Sequence, residues 1–445
     1  MKACKKYVGN EAFVMNSMEF AASIEPELIR TRRDLHRHAE PGWTEYRSAT
    51  MVAATLEKLG FTVKAGPDVI CADERMGLPS PEADEAAMER AAAQGADPKW
   101  LKKIAHGFTG VVGIMEFSPA GPVTAFRFDM DCNDVDEAQS DAHIPFAQGF
   151  ASENEHAMHA CGHDGHTTIG LGLARYLASR RDSLKGTVKL LFQPAEEGCR
   201  GARAMAASGI VDDVDYLFGM HVGGAENETG TFACRCVGSL ATTKLDVTFQ
   251  GVPSHAGSKP EAGKNALLAA CTALLNLHAI SRTSAGMTRV NVGVLQGGTG
   301  RNVIAGTAFM KMETRGETTA INEDMLARAE RILKGAAAMQ DVTVSITRAG
   351  GALSMVNDQD LSEEIYQIAS ALPVFYRVDM EIPSGGSEDC SYFMDRVRSH
   401  GGKVCYMGLG MNLTAVHHNS FFDLDEAVLT KGVAVLGAIA EHYLR

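Results

Sequence analysis

No part of this 445-residue sequence stays apolar for the roughly 20 residues that a membrane-crossing helix requires, so a bilayer-spanning protein is not expected. A cationic excess is also missing. With 42 Lys and Arg against 55 Asp and Glu, the net charge of −13 excludes a general nucleic-acid binder and offers nothing to an anionic membrane surface. It leaves an acidic substrate open, because a few local arginines can dominate a pocket. The ten cysteines follow no framework spacing, which points to reduced thiols and a cytoplasmic address. Cys234-Arg235-Cys236 is too close-set for the usual zinc or redox pairs and reads as alternating strand residues. The start, Met1-Lys2-Ala3-Cys4-Lys5-Lys6, leads into mixed polar sequence rather than an apolar core, so no signal peptide is expected. Gly297-Gly298-Thr299-Gly300 lies between strands and lacks the lysine and hydroxyl residue of a phosphate loop, which excludes nucleotide binding. Low-complexity tracts and solenoid-period repeats are likewise absent.

One stretch is crowded. Met158-His159-Ala160-Cys161-Gly162-His163-Asp164-Gly165-His166 places three histidines, a cysteine and an aspartate just before an apolar helical pattern. Thiolate and imidazole are the ligands that suit Zn²⁺ and its first-row neighbours. Any one of these histidines alone reads more simply as a helix-entrance residue capping free amides. Together they point to a metal, in a mononuclear or a dinuclear cage, with further ligands from elsewhere in the chain.

The length accommodates two domains, since single cores stop growing at roughly 250 to 300 residues. Ile24 to Leu59 has helical spacing with Gly60 as a stop, and Phe61-Thr62-Val63 reads as a short strand. Residues 71–108 are rich in Ala, Glu and Lys, and Pro81 to Ile104 reads as an inserted helical excursion, a solvated surface helix rather than a chemical element. Strands at Val123–Phe128, Thr187–Phe192 and Tyr216–Met220 alternate with a helix at Thr167–Leu177, the pattern of an α/β domain with a mixed, largely parallel sheet. From Ala241 to Arg348 the order becomes β-α-β-β-α-β, the ferredoxin-like arrangement. The expected organisation is a catalytic domain of residues 1–240 and 349–445, an inserted domain of residues 241–348, and the helical insertion at 71–108.

The other candidate groups fall where strands end. Asp129-Met130-Asp131 puts two carboxylates on one side of an extended chain. Glu196 and Glu197 follow a strand and Pro194, and adjacent acids repel unless a cation or a proton separates them. A metal holding one acid leaves the other free to take a proton from water; solvated turn acids are the plain alternative. His221 and the pair His417-His418 supply further imidazoles, each more often a structural histidine when taken alone.

Arg32-Arg33-Asp34-Leu35-His36, Asp129-Met130-Asp131, the 159–164 run, Gln193 to Gly198, Met220-His221-Val222-Gly223 and Gly386-Ser387-Glu388-Asp389 together resemble the aminoacylase and carboxypeptidase amidohydrolases with paired metals. The 71–108 insertion, with Arg75-Met76-Gly77-Leu78-Pro79, and Ala241-Thr242-Thr243-Lys244 resemble the branch of that family that cleaves aminobenzoyl-glutamate. The resemblance implies a zinc-peptidase-like fold in which Cys161, His163, Glu197, His221 and His418 hold two divalent ions, Mn²⁺ or Zn²⁺. It makes Glu196 the general base and later proton donor, and Asp131 an orienting residue. His418 is preferred to His417 for its spacing to Phe422. The inserted domain becomes a lid and dimerisation domain. Its His255 resembles a histidine that steadies the oxyanion in a neighbouring subunit, where the residues alone suggest a loop histidine capping the next helix. Arg301, Asn302 and Arg315 take the substrate carboxylate. The implied reaction is hydrolysis of the amide of p-aminobenzoyl-glutamate or a similar N-acyl or N-aroyl glutamate. Another N-acyl or indole-acetyl amino acid conjugate is the alternative substrate, and a non-catalytic regulatory or scaffold role the alternative to catalysis. The implied assembly is a homodimer or a heterodimer with a homologous B subunit.

Overall fold

Val123–Asp129, Gly186–Gln193, Tyr216–Val222 and Lys403–Leu409 are nearly continuous apolar runs, and in the computed structural model they form the parallel centre of an eight-stranded sheet. The structure describes residues 15–224 and 227–445; the reading of Met1 to Lys6 lies outside the described residues. Side chains alternate across these strands, so Phe126, Phe128, Leu190, Phe192 and Phe218 enter one core beneath the helices His163–Ser179 and Ala427–Tyr443. Ala125, Leu191, Leu217 and Tyr406 enter a second core with Met205, Phe393 and Val397. Burial on both faces is what permits such unbroken apolar strands. Antiparallel strands border this centre, with Val111–Ser118 against Gly186–Gln193 and Thr231–Ala233 against Lys403–Leu409.

Three local expectations change. The helix expected over 24–59 is two helices, Glu25–Arg37 and Tyr46–Lys58. Pro41 interrupts the ladder between them and bridges Cys132, and Trp43 adopts φ +69° with its indole N–H donating to Met76 O at 2.7 Å. The excursion over 81–104 likewise splits into Pro81–Ala93 and Pro98–Lys103, with Gly95 at φ +89° and Pro98 between them. Cys234 and Arg235 are not strand residues, since they fall between the short strands Thr231–Ala233 and Cys236–Val237.

The second sheet is antiparallel throughout, in the order Thr288–Gly297, Thr307–Gly316, Ala241–Gln250, Thr343–Ala352. Helices Ala266–His278 and Thr319–Met339 cover one face, burying Leu245, Val247, Phe249 and Met310 against Ala270, Ala329 and Leu333. The opposite face carries Lys244, Asp246, Lys311, Glu313 and Arg315. The last strand continues to Ala352, four residues beyond Arg348. A bulge between Arg348 and Gly350 ends the apolar alternation there, so the sequence pattern stops before the hydrogen bonds do. Among the described residues no helix is long and apolar enough to cross a membrane.

Candidate active site

The C-terminal ends of the four central parallel strands converge on one cluster, as open α/β sheets place their sites. Gly162, at φ +86°, opens the helix His163–Ser179; a Cβ there would lie 2.6 Å from Val222 Cγ2, so the turn needs glycine twice over. This turn sets Cys161 and His163 beside the ends of the neighbouring strands. The groups Cys161-His163-His221, Cys161-Glu197-His418 and His163-Glu196-Glu197 each gather their donor atoms within 4.8 Å of one another.

Two of the histidines are held for donation by their far nitrogens. His163 Nδ1–H donates to Asp131 O at 2.9 Å and His221 Nδ1–H to Val222 O at 2.6 Å. These bonds turn each Nε2 toward the cluster, the usual way a protein orients a ligating imidazole. His163 Nε2 is buried and unpartnered, and His221 Nε2 lies 3.5 Å from Cys161 Sγ. His418, at φ +65°, has Nε2 3.5 Å from Glu197 Oε1. His417 instead packs its ring on Phe422 and His221.

The Glu196-Glu197 loop is clamped from below. Asp131 accepts both backbone amides, Glu196 N–H at 2.9 Å and Glu197 N–H at 2.8 Å, while Ala195, at φ +51°, donates its N–H to the buried Glu45 at 2.7 Å. Burial, with Glu388, Glu197 and Asp389 nearby, pushes the Glu196 carboxyl well above the ordinary range. Burial also raises Glu197, but bonding to His418 and the charge of His163 outweigh it and hold that carboxyl down at about 2. Burial lowers His163, yet Asp129, Asp131 and Cys161 overcome this and raise it well above an ordinary imidazole. One acid disposed to carry a proton thus sits beside one disposed to stay charged.

Further buried side chains support these groups from behind. His166 donates from Nδ1 to Asp129 at 2.5 Å and accepts Val222 N–H at Nε2, so both nitrogens are spent and it acts as a strut. Arg127, fully buried in its strand, pairs with Asp129 at 2.7 Å and Glu388 at 2.9 Å; a charged residue within Val123-Thr124-Ala125-Phe126-Arg127-Phe128 was the available signal. Asp389 accepts Gln193 Nε2–H at 2.8 Å and the amides of Gly201 and Ala202, so this carboxylate is held by the chain's own donors. Arg32, also fully buried, binds Asp164 at 2.8 Å and Asp423 at 2.6 Å behind the motif.

A cavity of about 430 Å³ opens over the cluster, lined by Cys161, Glu196, Glu197, His221 and His418 and, from the second sheet, Lys244 and Arg315. His255, Arg301 and Asn302 do not line it. They are exposed in the loops beside the smaller sheet, where Ser254–His255 pairs with Val303–Ile304 and Asn302 O accepts Ala256 N–H at 2.9 Å. His255 Nδ1 accepts the amides of Gly257 and Ser258, each at 3.1 Å. It caps its own turn; the following helix is capped by Asn265.

Comparison with known proteins agrees with this architecture. The family described as peptidase family M20/M25/M40 matches residues 125–442. The chain is 47% identical over 426 residues to the indole-3-acetyl-aspartic acid hydrolase of Enterobacter agglomerans, covering 96% of this chain and 98% of that protein. It is 46% identical over 429 residues to the first of the lettered subunits of p-aminobenzoyl-glutamate hydrolase from Escherichia coli strain K12, with the same two coverages, 96% and 98%. Among solved structures, an aminobenzoyl-glutamate utilization protein from Klebsiella pneumoniae superposes with a TM-score of 0.84 at 42% identity, over 96% of this chain and 98% of that one.

Proposed function

The chain belongs to peptidase family M20/M25/M40 and is a metal-dependent hydrolase, and from that membership and the cleft's geometry we propose that it cleaves the amide of p-aminobenzoyl-glutamate or a similar N-acyl or N-aroyl glutamate. The observation that carries the reading is the pairing of Glu196 with Glu197 in one cavity with Cys161, His163, His221 and His418. The donor set fits two divalent ions, Mn²⁺ or Zn²⁺: thiol, imidazole and carboxylate converge, and His163 Nε2 is buried without a hydrogen bond. Cys161, His163, Glu197, His221 and His418 are the proposed ligands. Such ions supply Lewis acidity, polarising the amide carbonyl and acidifying water.

Glu196 takes the proton of the attacking water and returns it to the departing nitrogen. Its raised pKa suits a group that must give the proton back. Asp131 holds the two glutamates in place through their backbone amides. Arg315, already at the cavity wall, receives a substrate carboxylate. Residues 241–348, with the last strand running on to Ala352, form the ferredoxin-like lid and dimerisation domain, and the exposed tip delivers His255 to the cleft of a second subunit to steady the oxyanion, with Arg301 and Asn302 meeting the substrate carboxylate. That partner is another copy or a homologous B subunit; the Escherichia coli relative is itself named as a subunit. Unpaired cysteines throughout the described residues support a cytoplasmic address.

The similarity to an indole-3-acetyl-aspartic acid hydrolase favours a second substrate reading, an indole-acetyl amino acid conjugate. A non-catalytic scaffold role is opposed by the complete set of ligand and proton-transfer groups. Purified chain, stripped with EDTA and reloaded with Mn²⁺ or Zn²⁺, is to be assayed on aminobenzoyl-glutamate, aminobenzoyl-aspartate, indole-3-acetyl-aspartate and acetylated amino acids. Highest kcat/KM on aminobenzoyl-glutamate supports the first reading, and highest on indole-3-acetyl-aspartate the second. No turnover on any amide, with or without added B subunit, rejects both.

A further inference from the structure

The function proposed above uses one cation of the cavity wall and leaves another unexplained. Lys244 lines the same cavity as Glu196 and His418. It stands on the open face of the smaller sheet because its neighbour Leu245 faces the core. Across the ladder Lys244 is opposite Glu313, and Arg315 is opposite Thr242, so the two cations are diagonal neighbours, roughly 7–8 Å apart at the backbone. Glu313 nevertheless gives both oxygens to Arg315, at 3.0 and 3.1 Å. Among the described residues the Lys244 ammonium makes neither a hydrogen bond nor an ion pair.

A partly buried ammonium without a partner, at the wall of a cleft, is arranged for an anion that arrives from outside. The proposed leaving amino acid brings two carboxylates. An arginine fork suits the carboxylate whose position is fixed by the scissile nitrogen, whereas a lysine on a flexible stem suits one at the end of a side chain. We propose that Lys244 receives the side-chain carboxylate of the departing glutamate and thereby sets the preference for an acidic over a neutral amino acid. The inference rests on the function proposed above and adds the determinant of its selectivity.

The test compares Mn²⁺-loaded full-length wild type, K244M and K244R on p-aminobenzoyl-glutamate and p-aminobenzoyl-glutamine. In K244M the glutamate-to-glutamine ratio of kcat/KM falls about 10- to 100-fold, the range expected for a charged hydrogen bond, with the change in KM rather than kcat. K244R restores part of the ratio. Inhibition by free glutamate weakens in K244M by a similar factor, a readout that needs no turnover of the charged substrate. An unchanged ratio in K244M overturns the inference alone, as does an equal loss on both substrates. Wild type that cleaves neither amide, with or without added B subunit, overturns the aminobenzoyl-glutamate reading and this inference with it.

Discussion

The cluster at the ends of the central strands and the exposed tip beside the smaller sheet use similar residues under opposite conditions. At the cluster, His163 is fully buried, its Nδ1–H is bound to a backbone carbonyl, and the loop beside it is pinned by Asp131. At the tip, His255 is exposed and its Nδ1 holds only its own turn. The first region gains its geometry from the sheet and is complete in one chain. The second rests on the pairing of Ser254–His255 with Val303–Ile304 and does not line the cavity.

This contrast can be broken in several ways. The largest effect is expected at Glu196: E196Q keeps its metal content and loses about 10²- to 10⁴-fold in kcat, read by metal analysis alongside turnover. Next is the buried support. R32M leaves Asp164 charged and without its guanidinium in a fully buried position, which costs about 3–5 kcal/mol in urea unfolding. At the tip, H255A should lower kcat by about 10²- to 10³-fold with metal content and unfolding midpoint unchanged. Mixing H255A with E196Q then restores activity if the histidine acts across a dimer, because one site of the hybrid has both groups; no recovery places it within its own chain.

The smallest effect lies on the same helix as Arg32. Burial opposes ionisation of Asp34, but bonds from His38 and Arg47 prevail and hold its carboxyl at about 2 rather than 3.8. A lowered folded pKa contributes stability that is fully present above 3.8 and is lost as the pH falls through about 2. Because Asp34 is 39% exposed, solvent screens most of this pair. D34N should therefore flatten the acid dependence of unfolding by less than about 1 kcal/mol.

Much of this was legible in the sequence because the site is made of motifs that close short strands. Gln193 to Gly198 and Met158 to His166 carry their own turn residues, so local pattern and final position agree. What was not legible depends on partners distant in the chain. Nothing near Trp43 in sequence announces its left-handed backbone, which is secured by Met76. Arg127 looks out of place in its strand until Glu388 and Asp129 flank it. The smaller sheet extends past Arg348 on hydrogen bonds that Gly350 and Gly351 make without any side chain to mark them. Lys244 closes the Ala241-Thr242-Thr243-Lys244 motif, but only the folded sheet sets it beside Arg315 at the cavity wall.

The most direct test is the metal-to-protein ratio of dialysed protein, measured by mass spectrometry for wild type and for single alanine variants of Cys161, His163, Glu197, His221 and His418, with H255A as the contrast. The account predicts two ions per chain in wild type and H255A and fewer in each of the five others. A full complement of two ions retained in the His163 and His418 variants, or lost in H255A alone, would contradict it.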